Sequence, residues 1–157
     1  MDTAYPKALH TAYRILARRD HSIAELDGKL RQRGFEEKVI AKVLAECRRL
    51  NYLDDDRFAA GLIRHLKRKG CGSLRLRNEF HRRGLLGSES EQLLGEAFGA
   101  GEELQIACAV AEKKLQSIEF PEPQKCREKI YRFLSSRGFS GAVIAQTLKR
   151  VINASQT

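Results

Sequence analysis

Few side chains that could perform catalysis or bind a metal lie at a spacing that suits such chemistry. The 157 residues include four histidines and four cysteines, but no His-Glu-x-x-His motif and no Cys-x-x-Cys pair, the spacings typical of zinc sites. Gly70-Cys71-Gly72 precedes a predicted helix, but no Gly-Lys-Ser/Thr follows, so a phosphate-binding loop is not indicated. We therefore predict no catalytic site, no metal, no cofactor and four reduced thiols, and hence a protein that is not an enzyme.

Three consecutive aspartates, Asp54–Asp56, allow two interpretations. Carboxylates are ligands that Mg²⁺ prefers, so the cluster could serve a metal-dependent nuclease. Aspartate is also a preferred N-cap residue, and further carboxylates in a first turn are stabilised by the positive end of the helix dipole. We favour the second interpretation, with Asp54 as the cap. Nuclease assays with and without a chelator distinguish the two.

Positive charge is concentrated in one part of the chain. The formal net charge is +9 and the pI is about 9.7; residues 1–87 hold 20 Lys/Arg against 11 Asp/Glu, whereas residues 88–157 hold 9 of each. This asymmetry is typical of proteins that bind a polyanion, although a solubilising surface would look similar. We predict that a filament- or DNA-binding surface is formed by the densest cations: Arg64, Lys67, Arg68, Lys69, Arg75, Arg77, Arg82 and Arg83.

The spacing of apolar residues predicts the helices that position these cations. Apolar residues recur at three- and four-residue steps from Ala8 to Arg18, which predicts a helix with Leu9, Ala12, Tyr13 and Leu16 on its buried stripe. Ser22 and Glu25 have the spacing of a capping box for a second helix. Gly34 then ends this helix, since glycine adopts a left-handed conformation without strain.

The same pattern recurs at offsets of 50 and 104 residues, and an Arg-Gly-apolar tripeptide marks each copy at Arg33, Arg83 and Arg137. We predict an all-α fold of three tandem three-helix repeats, residues 5–53, 54–100 and 102–153, in an elongated, curved array. Further expectations concern the connections: helix caps at Ser73 and Ser88, the latter paired with Glu91, flexible joints at Gly70-Cys71-Gly72 and Gly99-Ala100-Gly101, and the longest loop at Pro121-Glu122-Pro123.

Neither a membrane span nor an export signal is indicated. No apolar run approaches the roughly 20 residues that cross a bilayer, and residues 1–7 contain no apolar core of a signal peptide. We therefore predict a cytoplasmic protein.

The order of motifs resembles that of the RecX family of regulatory proteins, bacterial modulators of the RecA recombinase. Two positions depart from the usual pattern: Cys71 stands where an aromatic residue is common, and Ser73 where proline is common. The resemblance spans nearly the whole chain and rests on Arg18-Arg19-Asp20-His21-Ser22-x-x-Glu25-Leu26-x-x-Lys29-Leu30, Tyr52-Leu53-Asp54-Asp55-x-Arg57-Phe58-Ala59, Arg68-Lys69-Gly70-x-Gly72, Arg77-Asn78-Glu79-Phe80-x-x-Arg83-Gly84 and Lys129-Ile130-x-Arg132-Phe133-Leu134-x-x-Arg137-Gly138-Phe139.

This resemblance implies a non-enzymatic regulator of recombination, DNA repair and the SOS response. RecX-like proteins bind the RecA nucleoprotein filament in its groove, across neighbouring subunits, and inhibit filament extension, ATP hydrolysis and strand exchange. The expected partners are therefore the RecA filament and, weakly and without sequence specificity, single- and double-stranded DNA, with no membrane partner.

A stand-alone DNA-binding protein is the alternative. In this interpretation the predicted helix from Ser73 to Arg83 is a recognition helix that offers Arg75, Arg77 and Asn78 to base edges. Gel-shift specificity separates the two, because a filament modulator needs only weak, salt-sensitive binding.

Overall fold

Nine α-helices and no strands occur within residues 3–119 and 122–154, the part of the chain that the computed structural model describes. This confirms the predicted all-α repeat fold. Pro121, in the predicted longest loop, lies outside the described residues. The helices are α1 (Ala4–Arg18), α2 (Ile23–Gln32), α3 (Glu37–Arg49), α4 (Asp55–Arg68), α5 (Ser73–Arg82), α6 (Ser88–Glu96), α7 (Glu102–Gln116), α8 (Pro123–Ser136) and α9 (Gly141–Ala154).

The chain is divided into two compact units. The first unit comprises Met1–Gly61 and Phe80–Ser90, and the second comprises Leu62–Glu79 and Glu91–Thr157. Residues of the predicted second repeat are therefore shared between the two units.

Each unit has its own apolar core. In the first unit Ala8 and Ala12 of α1 are fully buried against residues of α2 and α3 such as Leu26 and Val43. In the second unit Ala107 and Ala111 of α7 occupy a similar place beside Ile130 of α8 and residues of α9. A pair of alanines one turn apart lets neighbouring helices approach closely.

The buried face of α1 differs from the predicted stripe. Ala8, Ala12 and Ile15 are buried, whereas Leu9, Tyr13 and Leu16 are only partly buried at the edge of the core. The prediction was right for Ala12, but it omitted Ala8 and Ile15. Packing places small residues at the closest contact between helices.

Local signals at several helix ends are confirmed. The Ser22–Glu25 capping box is present, and the Arg57 N–H donates to Asp54 Oδ1 at 3.1 Å, as expected of an N-cap. Gly34, Gly84 and Gly138 all have positive φ angles, of 85°, 71° and 82°.

The caps expected at Ser73 and Ser88 are wrong. Both serines are the first residues of their helices instead of caps. The Ser73 N–H donates to the carboxylate of Glu103 at 2.8 Å, so an acceptor 30 residues away serves this helix end. The Glu91 carboxylate, expected to complete a capping box, instead accepts from Arg77 at 3.0 Å.

The second and third Arg-Gly pairs form contacts that join one predicted repeat to the one before it. We call each Arg-Gly pair, at 33–34, 83–84 and 137–138, an Arg-Gly corner. In the first unit the corner at Gly84 packs on Ala24 near the start of α2, and a Cβ on Gly84 would lie within 3.0 Å of the Ala24 side chain. The Ser22 hydroxyl donates to the Arg83 carbonyl at 2.5 Å.

The second unit repeats this arrangement at α5. The Gly72 N–H donates to the Arg137 carbonyl at 2.8 Å, and the Leu74 N–H donates to the Gly138 carbonyl at 2.9 Å. These bonds satisfy amide groups that a helix start leaves unpaired. A Cβ on Gly138 would overlap the backbone of Arg75.

The joint expected to be flexible at Gly70-Cys71-Gly72 is therefore a packed contact. All three residues are buried. A Cβ on Gly72 would lie 2.6 Å from both the Gly138 carbonyl and the Phe139 ring. Glycine is needed here for close approach of two backbones, and not for flexibility.

We expect Gly138→Ala to destabilise the chain much more than Gly34→Ala. Both alanines would need a left-handed conformation, which costs about 1 kcal/mol, but only Gly138 also has a neighbour within 3.0 Å. Urea unfolding should show a loss of about 1 kcal/mol for Gly34→Ala and about 3 kcal/mol or more for Gly138→Ala. Equal losses would contradict the packing role of the corner.

Candidate nucleic-acid and filament interface

The eight cations predicted from charge density are divided between the two units. Six of them, from Arg64 to Arg77, belong to the second unit, whereas Arg82 and Arg83 belong to the first. Within the second unit, Arg64, Lys67 and Arg68 lie in the last turns of α4. Lys69 follows α4 directly, and the other two lie on α5.

Lys67 has a structural role. Its ammonium group forms an ion pair with Glu102, donates to the Ala97 carbonyl at 2.7 Å and lies 5.3 Å from the centre of the Phe98 ring. These contacts connect the end of α4 to the segment that links α6 and α7.

Arg83 also acts within the protein. Its guanidinium donates to Glu25 at 3.1 Å, and Arg19 donates to the same carboxylate at 2.7 Å. Burial alone would raise the pKa of Glu25, but hydrogen bonds from Arg19 and the Ser22 N–H, with the charges of Arg19 and Arg83, hold that pKa below its usual value. The corner arginine therefore stabilises the contact between the first two predicted repeats.

The remaining cations of the second unit are accessible. Arg77 forms an ion pair with Glu91 at 3.0 Å, and both side chains are exposed. Such a pair contributes at most about 1 kcal/mol, so an external anion can replace it. Arg75 is itself exposed, whereas the Glu79 carboxylate, 3.7 Å from it, is buried. Arg64, Arg68 and Lys69 are exposed. Together these five form what we call the basic segment: Arg64, Arg68, Lys69, Arg75 and Arg77.

A second group of cations, missed by the sequence analysis, surrounds a cleft in the first unit. The cleft has a volume of about 800 Å³ and lies between α1, α2 and the loop that joins them. We call it the α1–α2 cleft; it is lined by Thr11, Arg14, Ile15, Arg18, Arg19, His21, Lys29, Gln32 and Arg33. Charge density does not reveal it, because its cations come from two helices. The four-residue spacings of Arg14 with Arg18 and of Lys29 with Arg33 were the available signal.

His21 holds Lys29 in the wall of the cleft. The histidine is only 3% exposed; its Nδ1 is 2.9 Å from the Arg19 carbonyl, and its Nε2 is 2.9 Å from the Lys29 ammonium. Nδ1 therefore carries the proton and Nε2 accepts, which requires a neutral ring. Burial lowers the pKa of His21, and the positive charges of Arg19 and Lys29 lower it further. The hydrogen bond to the Arg19 carbonyl acts in the opposite direction, but the pKa remains below its ordinary value.

The aspartate cluster takes part in helix starts. Asp54 caps α4, and Asp55 Oδ1 accepts the Ile23 N–H at 2.9 Å. No group of three or more potential metal ligands comes together among the described residues.

All four cysteines are free thiols, and burial, with the charge of Glu46, raises the pKa of Cys47. In the part of the chain that the structure describes, no helix has the length and apolarity needed to span a membrane.

These features define a class: a helical protein of tandem three-helix repeats joined by Arg-Gly corners, with accessible cations on two surfaces. Two models of protein-domain families match this chain. The model of the first three-helix domain of RecX matches residues 8–47, and that of the third three-helix domain of RecX matches residues 101–148. The chain belongs to the RecX family of regulatory proteins.

Similar proteins cover almost all of this chain. It is 36% identical over 146 residues to the regulatory protein RecX of Chlorobaculum tepidum, an alignment that covers 92% of this chain and 88% of the relative. It is 35% identical over 152 residues to that of Prosthecochloris aestuarii, covering 96% and 97%. The crystal structure of RecX from Lactobacillus salivarius has the same fold, with a TM-score of 0.80, 16% identity and coverage of 96% and 98%.

The neutral, buried His21 predicts a pH-dependent stability. Because the folded state binds this proton less readily than the unfolded chain does, the contribution of His21 is complete above about pH 6.5 and is lost as the pH falls below it. We expect the free energy of unfolding, measured in urea, to decrease between pH 7 and pH 5.

A His21→Gln variant should show a flatter profile over this range, since glutamine has no titrating group. The matched control is His10→Gln, at an exposed position of α1, which should keep the wild-type slope. A His21→Gln profile parallel to the wild type would contradict the assignment.

Proposed function

We propose that this chain binds the RecA nucleoprotein filament in its groove, across neighbouring subunits, and inhibits filament extension, ATP hydrolysis and strand exchange. The observation that carries the proposal is the alignment of nearly the whole chain with regulatory proteins of the RecX family. A protein with this partner would act in the cytoplasm and would also contact DNA weakly, without sequence specificity.

The basic segment supports this proposal. Five accessible cations lie within 14 residues, between the last turns of α4 and the middle of α5. Phosphates of the filament's DNA, or an acidic surface of its protein, would contact these cations and replace the exposed ion pair of Arg77 with Glu91. Packing of Gly72 against Gly138 and Phe139 holds the start of α5 in place, so these cations are positioned before binding.

Inhibition would follow from occupation of the groove. A helical protein held on several neighbouring subunits would oppose the subunit movements that accompany ATP hydrolysis, and would deny the groove to a second DNA strand. No catalytic group is required of the regulator for this effect.

The alternative of a sequence-specific DNA-binding protein has less support. Recognition helices usually present their N-terminal residues to base edges. The start of α5 is instead packed against the corner at Arg137 and Gly138, which accept hydrogen bonds from Gly72 and Leu74. Arg75 is consequently close to protein backbone on one side.

The experiment that tests the proposal is RecA ATP hydrolysis on single-stranded DNA with increasing amounts of this chain. We expect the wild type to inhibit hydrolysis. The variant Arg68→Ala/Lys69→Ala/Arg75→Ala/Arg77→Ala should need about tenfold more protein for the same inhibition. Its salt dependence should also be weaker, because each lost phosphate contact on a single strand removes about 0.7 from the logarithmic salt slope. Alanine keeps the Cβ of Arg75, so the corner contact is preserved.

The matched control removes four exposed cations elsewhere in the second unit: Lys125, Arg127, Lys149 and Arg150, each changed to alanine. We expect this control to inhibit like the wild type. Equal inhibition by both variants would contradict the role of the basic segment, and absence of inhibition by the wild type would contradict the proposed function itself.

A further inference from the structure

The corner arginine of the first predicted repeat differs from its two equivalents in what it contacts. Arg83 donates to Glu25. Arg137 donates to the Lys69 carbonyl and lies 5.0 Å from the centre of the Phe133 ring. Arg33 is exposed, and no carboxylate of the described residues forms an ion pair with it. It lines the α1–α2 cleft instead.

The glycine of this corner is equally open. A Cβ on Gly34 would meet no atom within 4 Å, whereas the corresponding Cβ atoms on Gly84 and Gly138 would overlap a neighbouring helix. At the first Arg-Gly corner, no described residue takes the place that a helix of the preceding repeat takes at the other two corners. Arg33 is exposed to solvent.

Arg33 shares the cleft with cations from both helices. Arg14 and Arg18 lie one turn apart on α1, a rise of about 6 Å. Lys29 comes from α2 and is held by His21 at 2.9 Å. No carboxylate lines this cleft among the described residues. Of its five cations, Arg19 pairs with Glu25 outside the lining. The other four, Arg14, Arg18, Lys29 and Arg33, lack the carboxylate partners that neutralise Lys67 and Arg83.

The lining also indicates the chemical class of the ligand. Among the described residues, Ile15, 7% exposed, is the one aliphatic member of the lining, and no Phe, Tyr or Trp side chain lines the cleft. Protein–protein interfaces usually depend on buried aromatic or aliphatic anchors, which this cleft lacks. Contacts to a phosphate backbone need only cations and polar groups, and a nucleic-acid strand supplies one phosphate per nucleotide.

We propose that the α1–α2 cleft binds the phosphate backbone of a nucleic-acid strand through Arg14, Arg18, Lys29 and Arg33. None of these four residues belongs to the basic segment, which lies in the second unit. The proposal rests on the proposed function in one respect: a protein bound to the RecA filament has DNA within reach. Without an aromatic platform for bases, binding is independent of sequence.

The test is fluorescence anisotropy of a labelled oligothymidylate, with no RecA present, over a range of salt concentrations. The variant Arg14→Gln/Arg18→Gln/Arg33→Gln should bind at least tenfold more weakly than the wild type. Its logarithmic salt slope should be smaller by about 2, since each single-strand phosphate contact contributes about 0.7. Lys29 is kept so that its contact with His21 is undisturbed.

The matched control is Lys38→Gln/Lys42→Gln/Arg48→Gln, which removes the same charge from exposed positions on α3 of the same unit. It should bind within about twofold of the wild type. Thermal unfolding verifies that both variants fold.

Binding of labelled polyglutamate, an acidic peptide, is measured in parallel. The proposal would be overturned if the wild type did not bind DNA at 50 mM salt, or if the cleft and control variants weakened DNA binding equally. It would also be overturned if the cleft variant lost polyglutamate binding but bound DNA like the wild type. The last result would identify an acidic protein segment as the ligand. Because RecA is absent, none of these outcomes depends on inhibition of RecA.

Discussion

The structure depends on one recurring contact, the packing of an Arg-Gly corner against the start of a helix in the preceding predicted repeat. The glycine allows close approach and ends its own helix with a positive φ angle, while carbonyls of the corner accept hydrogen bonds from the neighbouring helix start, at Ser22 in one unit and at Gly72 and Leu74 in the other. In the second unit a helix end and a helix start thus satisfy each other's unpaired backbone groups. A repeat of about 50 residues buries little apolar surface by itself, and this contact supplies part of what it lacks.

The same contact decides which cations are available for function. Arg83 and Arg137 act inside the protein, on Glu25 and on the Lys69 carbonyl, and Lys67 is similarly engaged with Glu102. Arg64, Arg68 and Lys69 of the basic segment, and Arg14, Arg18 and Arg33 of the α1–α2 cleft, are exposed and form no ion pair with a described residue. A net charge of +9 therefore overstates the charge that a partner can contact, and the location of the accessible part matters more than the total.

Features set by neighbouring residues were predictable from the sequence. The capping box at Ser22, the cap at Asp54 and the left-handed glycines follow from local spacing. Features set by distant residues were not: Glu103 replaces the expected cap at Ser73, and Phe139 explains why Gly72 must be glycine. The cleft was missed for a similar reason, because the four-residue spacings of Arg14 with Arg18 and of Lys29 with Arg33 become one site only when α1 packs beside α2.

The central claim is that the arginine of the Arg-Gly corner stabilises the fold in the later repeats and is free for a ligand in the first. The most direct measurement is the free energy of unfolding in urea for Arg83→Gln and Arg33→Gln, compared with the wild type. Arg83 and Glu25 have side chains only 26% and 12% exposed, so we expect a loss of about 1–2 kcal/mol for Arg83→Gln. Arg33→Gln should change stability by less than about 0.5 kcal/mol. Similar losses for the two variants would contradict the account.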